Sequence, residues 1–528
     1  MKKSLTLLLL LASSALFAQN GNLTGDLMMN ANFFQRDTHI KAANNPLYDN
    51  LLSGGEGWLS LRYSGFGFTG TVRFDAFHHS NLQTPTNALT AAGLGMFSLS
   101  KELKKLTITA GHVYDQIGTG IIFRAYEDRG LLIDNALFGL HLKYRLSDKL
   151  SVKGFTGQTK NLFDRYAPII KGFNAEGDFD VKGKAHLTPG VGIVNRTMDA
   201  QSMNVLVANI NSMHEGDRFI PKYNMNAVTV YNTLNAGNLS WYIEAAMKSQ
   251  EAILVPGEGL KNRNGNVLYT TIGYAQNKLG FNASARRTDH FVMRTSPDQQ
   301  LLKGMFSWQP IIAQIRPQRL IARYTPPSQD ISEQALNANA FFTPNDKYTF
   351  NVSYTHINLL NNDPLYRELF AESEIRSIKK TLLHLGVQYL MYNQSVYQVK
   401  VKEEYPDVQA ITPFVELTYK LSKKRSLRCD MQYMSTKQDY GSWAFLLLEY
   451  TISPNWSFAA SDMYNIQPNT AHVEKALHYP NLFIAYTKDA NRFTVQYVKQ
   501  VDGINCTGGV CRYEPAFSGF KLGITSSF

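Results

Sequence analysis

Apolar and polar residues alternate along most of this 528-residue chain. Leu23, Gly25, Leu27, Met29, Ala31 and Phe33 fall on one face, with Asn22, Thr24, Asp26, Asn30 and Asn32 on the other. A period of two is what a strand shows when its faces meet different surroundings. Phe68, Gly70, Val72, Phe74 and Ala76 repeat it against Thr69, Thr71, Arg73 and Asp75, as do Leu106 to His112 and Phe138 to Tyr144. Short polar turns at 145–149, 276–278, 343–347, 422–425, 453–455 and 488–491 separate such runs. Long connections are predicted at 37–55, 78–91, 115–135, 158–187, 250–266, 287–332, 358–380 and 465–479. Short turns at one end and long loops at the other predict an all-β fold: a single antiparallel transmembrane barrel with periplasmic turns and extracellular loops. Following the alternation to Phe528 gives about 24 strands, within a range of roughly 18 to 24, an even number as such barrels require. Segments 287–342 and 382–402 could each change the count by a pair. One helix is predicted in an outer loop, at Asp363 to Arg376, from an N-cap, Pro364 at the first helical position and a Leu365, Leu369, Phe370 face.

The ends refine this picture. Met1-Lys2-Lys3, an apolar run from Leu5 to Leu11 and small residues up to Ala18 predict a cleaved leader over residues 1–18, with the barrel over 19–528. After Gln19 no run approaches the roughly 18 apolar residues of a spanning helix, so a membrane location requires a closed barrel. The strand pattern starts at Leu23, which leaves no room for a plug domain ahead of it. In the last stretch Phe520, Leu522 and Ile524 alternate with Lys521, Gly523 and Thr525. Lys521, Gly523 and Phe528 resemble the polar, glycine and terminal-aromatic positions of the sorting signal on the last strand of outer-membrane barrels. Ser526 departs from that pattern at an apolar position.

Aromatic residues make up 12% and charged residues 18%, with 28 Tyr and 30 Phe against 5 Trp, which suits a sheet carrying aromatic belts. Lys2 and Lys3 lie in the predicted leader, so 51 basic and 42 acidic residues remain, a net of +9. For an exported chain this excludes nucleic acid and leaves lipopolysaccharide, anionic solutes or a basic surface. Cys506 and Cys511 enclose two glycines and could form a small loop-tip disulfide or remain two thiols. Cys429 reads as an ordinary apolar-face residue.

Because lipid-facing positions must be apolar, the polar face is read as the lumen. Its candidates are Arg73 and Asp75; His141, Lys143 and Arg145; Glu244 and Lys248; Asn282 and Arg286; and Arg428, Asp430 and Gln432. Fixed cations there would favour anions, or they could solvate the rim and meet lipopolysaccharide phosphates. Tyr114 to Asn135 gathers Asp115, Arg124, Glu127, Asp128, Arg129 and Asp134 among glycines. It is the candidate constriction, with a rim loop held by its own ion pairs as the alternative. Residues 287–330, rich in Arg around Trp308 and Pro310, could bind an acidic ligand or partner, or cap the outer mouth. No serine or metal-ligand motif supports an enzyme, and His78-His79 beside Asp75 places neighbours on opposite faces of a strand. No cofactor is implied.

Three blocks carry a family resemblance: Gly111 to Gly139, Tyr433 to Asn465, and Cys506 to Phe528. They resemble an uncharacterised outer-membrane barrel family of the Bacteroidota, a domain of unknown function. The resemblance implies fold and location and carries over no site residue. The expectation is a porin-like channel for small polar, anionic solutes. Its alternative is a non-conducting barrel that acts as scaffold or partner in a secretion or surface-assembly complex. Expected partners are outer-membrane lipids and lipopolysaccharide, the barrel-assembly machinery and other envelope proteins.

Overall fold

The computed structural model describes residues 21–82, 88–255, 257–299, 303–329, 331–507 and 510–528, with no side chains described over 504–511. The predicted leader lies outside these residues. The alternating runs form 24 antiparallel strands, each paired to its sequence neighbour, the shortest being Leu106–Val113 and the longest Gly259–Gln276. Residues 179–181 continue the strand Asp164–Gly177 past an irregularity and do not add to the count. The first strand, Gly21–Phe34, pairs with the last, Phe517–Ser527, from Asp26 opposite Ser527 to Phe34 opposite Gly519. Backbone hydrogen bonds between Gly25 and Phe528 at 2.7 and 2.9 Å complete the seam. Closure pairs every strand on both sides, so no edge is left exposed.

The sidedness follows the pleat. Leu140, Leu142, Tyr144 and Leu146 point out and are exposed, whereas His141 of the same strand, Leu137–Ser147, reaches a lumen loop. All six short turns read from the sequence join hairpins at one end of the barrel.

Three expected long connections, 158–187, 250–266 and 358–380, are instead occupied by strands. Residues 158–187 contain the strand Asp164–Gly177, and 250–266 are the paired ends of Leu239–Val255 and Gly259–Gln276. The predicted helix at 363–376 is the strand Pro364–Ile375, paired on both sides. Its helical face does not survive, because Leu369 points out and Phe370 is buried in the lumen. Proline is tolerated as a strand's first residue, and a helix there would leave two neighbouring strands without a partner. A helix does form at Ala200–Asn211, capped by Asp199, whose carboxylate accepts from the Ser202 amide at 3.1 Å.

Two loops folded into the bore

The apolar interior of this barrel lies within its lumen. Residues 114–136 leave the strand Leu106–Val113 and turn inward. Gly118 makes the approach possible, with φ +56° and its Cα so near the wall that a Cβ would sit 2.6 Å from Glu244 Oε1. Ile117, Ile121, Ile122 and Phe123 are fully buried in a cluster with Phe155, Ile170, Val194, Met225, Ala246 and Val267. The loop then forms two short ribbons, Asp115–Gln116 with Arg124–Ala125 and Glu127–Asp128 with Ile133–Asp134.

Charge fixes these ribbons to the wall. Arg73 holds Asp75 at 2.6 and 2.8 Å, Glu127 at 2.8 Å and Asp134 at 2.6 Å. Lys160 also reaches Asp134 at 2.6 Å, and the Tyr114 hydroxyl donates to the same carboxylate at 2.8 Å. Asp115 takes Lys153 at 2.9 Å and His141 at 3.0 Å. Glu244 accepts from the Thr119 amide at 3.0 Å and the Tyr242 hydroxyl at 2.7 Å. Arg129 pairs with Glu127 at 2.9 Å and lies 3.7 Å from Asp26. The Asp128 carboxylate turns inward on its own loop and accepts from the Leu131 amide at 3.1 Å. Arg124 has no carboxylate partner among the described residues; its guanidinium lies 4.3 Å from the Tyr126 ring centre and 4.4 Å from that of Trp308.

Trp308 belongs to a second inner loop, residues 290–332, which joins the first. The Arg124 amide donates to Phe306 at 2.8 Å, the Trp308 amide to Gly120 at 3.0 Å, and Asn135 Nδ2 to Met305 at 3.0 Å. This loop crosses the bore. On one side Arg196 and Lys248 hold Glu251 at 2.8 and 2.6 Å and also donate to the Thr295 and Val292 carbonyls. At its root Arg286 donates to Glu333 and to the Pro310 carbonyl. On the far side the Leu320 amide donates to Gln432 at 2.7 Å and the Tyr324 hydroxyl to Asp439 at 2.8 Å. Leu320 and Tyr324 pack in a cluster with Leu390, Tyr392, Val408, Met434 and Trp443. Asp439, in the loop 435–440, also meets Lys400 at 3.0 Å and Arg323 at 3.5 Å. Burial alone would raise its carboxyl, but Arg323 and Lys400 outweigh burial and hold it below the usual range.

Arg73, Asp75 and Arg286 thus anchor the inner loops, and Asp115, Glu127, Arg129 and Asp134 are brought together with the wall. Lys143 and Arg145 share the face of His141 but stand exposed toward the turn end, outside this network. Arg428 pairs there with Glu416 at 2.9 Å and Glu449 at 3.4 Å. The His78 and His79 rings lie 3.9 Å apart, tilted by 34°, with His79 at a positive φ, while Asp75 is committed to Arg73. Cys506 lies opposite Cys511 in the hairpin formed by 503–507 and 510–514, but their side chains fall outside those described. Lys521 and Gly523 lie on the lumen face of the closing strand, and Phe528 covers Gly25.

Sequence reasoning missed the apolar patch on the inner wall, and of the Arg196–Glu251–Lys248 cluster it singled out only Lys248. The patch does leave a signal: Ile169-Ile170 and Ile193-Val194 are adjacent apolar pairs, which put one side chain on each face of a strand.

Among the cavities beside the inner loops are two of about 340 Å³ each. One lies between Arg129 and the seam strands, against Asn30, Thr494, Gln496 and Lys521. The other follows the second loop past Arg319, Arg323, Lys400 and Asp502. Gln500 and Glu514 border both.

A family model described as "Family of unknown function (DUF6029)" matches residues 1–528. No curated protein matches the sequence. Among solved structures the chain is similar to the translocation pore of the P pilus usher PapC, at TM-score 0.45 and 8% identity, covering 96% of this chain and 99% of that one. It is also similar to the siderophore receptor PirA from Pseudomonas aeruginosa, at TM-score 0.41 and 9% identity, covering 96% and 80%. For Pseudomonas aeruginosa OpdK with vanillate the values are TM-score 0.37 and 9% identity, covering 96% and 98%.

Proposed function

The chain belongs to DUF6029, a family of unknown function, and from that premise we propose that it is a porin-like channel for small polar, preferentially anionic, solutes. It works in the outer membrane of a Gram-negative envelope, delivered through a cleaved leader and the barrel-assembly machinery, with lipopolysaccharide around it. The observation that carries this reading is the cavity left between Arg129 of the first inner loop and the seam wall, where Asn30, Thr494, Gln496 and Lys521 line space that the loops do not fill. An inner loop crowded with fixed charges narrows a bore and selects solutes by field and size. The loops themselves need no energy input to hold their position, since their ion pairs and apolar contacts are built into the wall. The apolar packing of both loops against that wall favours a second reading, a non-conducting barrel whose outer surfaces serve an envelope complex.

Single-channel recording of the purified, folded protein in a planar bilayer under a salt gradient separates the two. The expected result is a steady opening with a reversal potential on the anion side, shifted toward zero by Arg129→Ala. A silent barrel that co-purifies with other envelope proteins overturns the channel reading.

A further inference from the structure

The two lumen cavities carry six cationic side chains against four carboxylates. Most of the cations are already engaged. Arg323 and Lys400 share Asp439, Arg129 holds Glu127, and Arg512 lies 3.7 Å from Glu514 while donating to the Leu82 carbonyl at 3.0 Å. Arg319 and Lys521 remain. Among the described residues neither has a carboxylate within ion-pair distance, and Lys521 has only the Phe517 ring, 4.3 Å from its Nζ. Arg319 is exposed to the bore on the second inner loop, and Lys521 projects from the closing strand. Gln500 and Glu514, joined by a hydrogen bond of 2.9 Å, border both cavities, with Arg319 in one and Lys521 in the other; the Glu514 charge acts on both cations, and Arg319 and Lys521 also act on each other.

We infer that Arg319 and Lys521 form a binding site for a small solute bearing a carboxylate or phosphate group, held between the second inner loop and the barrel seam. This rests on the channel reading and names the class of solute it carries. The guanidinium of Arg319 offers a planar fork that matches either group, and the ammonium of Lys521 adds a point charge. Two like charges with no carboxylate at ion-pair distance, in a narrow space with low-dielectric walls, attract anions to that point, and the more distant Glu514 and Glu56 moderate the pull. The nearby acids keep the site from becoming a trap. Asp502 is satisfied by the Tyr440 and Tyr513 hydroxyls, each at 3.1 Å, and Glu56 by Ser80 at 2.6 Å. Their charge favours release, which conduction requires.

The test is calorimetric titration of the detergent-solubilised full-length barrel with succinate, with inorganic phosphate, and with glucose as a neutral control. Succinate or phosphate is expected to bind and glucose not to. Loss of one charge-assisted contact in Arg319→Gln should weaken affinity roughly tenfold, with Arg319→Lys recovering part of it. Lys521→Gln should act in the same direction, but it lies on the closing strand, so Arg319, on a loop outside the strand ladder, is the decisive position. Equal affinity in wild type and Arg319→Gln, or no binding of either anion, overturns the site. The same samples in bilayers keep the two ideas apart: anion-selective current without titratable binding refutes the site alone, and binding without current refutes the channel alone.

Discussion

Arg73→Met tests how the first inner loop is held. Arg73 is almost completely buried and touches three carboxylates, two of which, Glu127 and Asp134, belong to the loop. Methionine keeps the stem and removes the charge, leaving Asp134 with Lys160 and Glu127 with Arg129, while Asp75 loses its partner. Removing one member of a buried ion cluster costs about 3–5 kcal/mol, because the remaining charges stay desolvated. Full burial of Ile117, Ile121, Ile122 and Phe123 contributes, at about 1.5–3 kcal/mol each, roughly 6–12 kcal/mol as an upper estimate. The apolar half of the loop therefore outlasts the loss, and the charged ribbon does not. Hydrogen–deuterium exchange by mass spectrometry should show faster exchange over residues 126–135, unchanged protection over 117–123, and unchanged heat-modifiable gel migration of the barrel. Unchanged exchange over 126–135 would refute the ion-cluster argument, and simultaneous loss over 117–135 would refute the division into two halves.

Two further outcomes are expected. Arg286→Met leaves Glu333 buried without its cation and frees the Pro310 carbonyl, so the root of the second loop should loosen by about 3–5 kcal/mol, seen as new protease cleavage within 290–332 while the strands stay resistant. Asp439 is held below the usual carboxylate range, so its contribution is complete above the unfolded value of about 3.9 and is lost as pH falls through the lower folded value. Exchange protection around Tyr324 should accordingly be constant from pH 7 to roughly 5 and fall only below about 4; a loss centred near neutral pH would contradict the Arg323–Asp439–Lys400 arrangement.

The strand architecture was legible because the membrane forces it. A wall with hydrocarbon outside and polar groups inside must alternate residue by residue, and Leu140, Leu142 and Tyr144 against His141 and Lys143 show that in the letters alone. The turns, the closing strand and a count of 24 followed from the same rule. Local signals failed where pairing overrode them. Pro364 and the Leu365, Leu369, Phe370 spacing satisfy a helix, yet the neighbouring strands Tyr348–Leu359 and Thr381–Tyr392 needed a partner between them. The charged residues of 115–134 could be singled out as a group, but nothing local states whether a loop turns into the bore or lies on the rim. That choice rests on residues far away in sequence: Arg73, Lys160 and Glu244 for the first loop, Arg196, Glu251 and Gln432 for the second. Alternation reports the two faces of one strand, and is set by that strand alone. The filling of the lumen depends on which side chains of many strands meet across the bore, and only the closed barrel brings those side chains together.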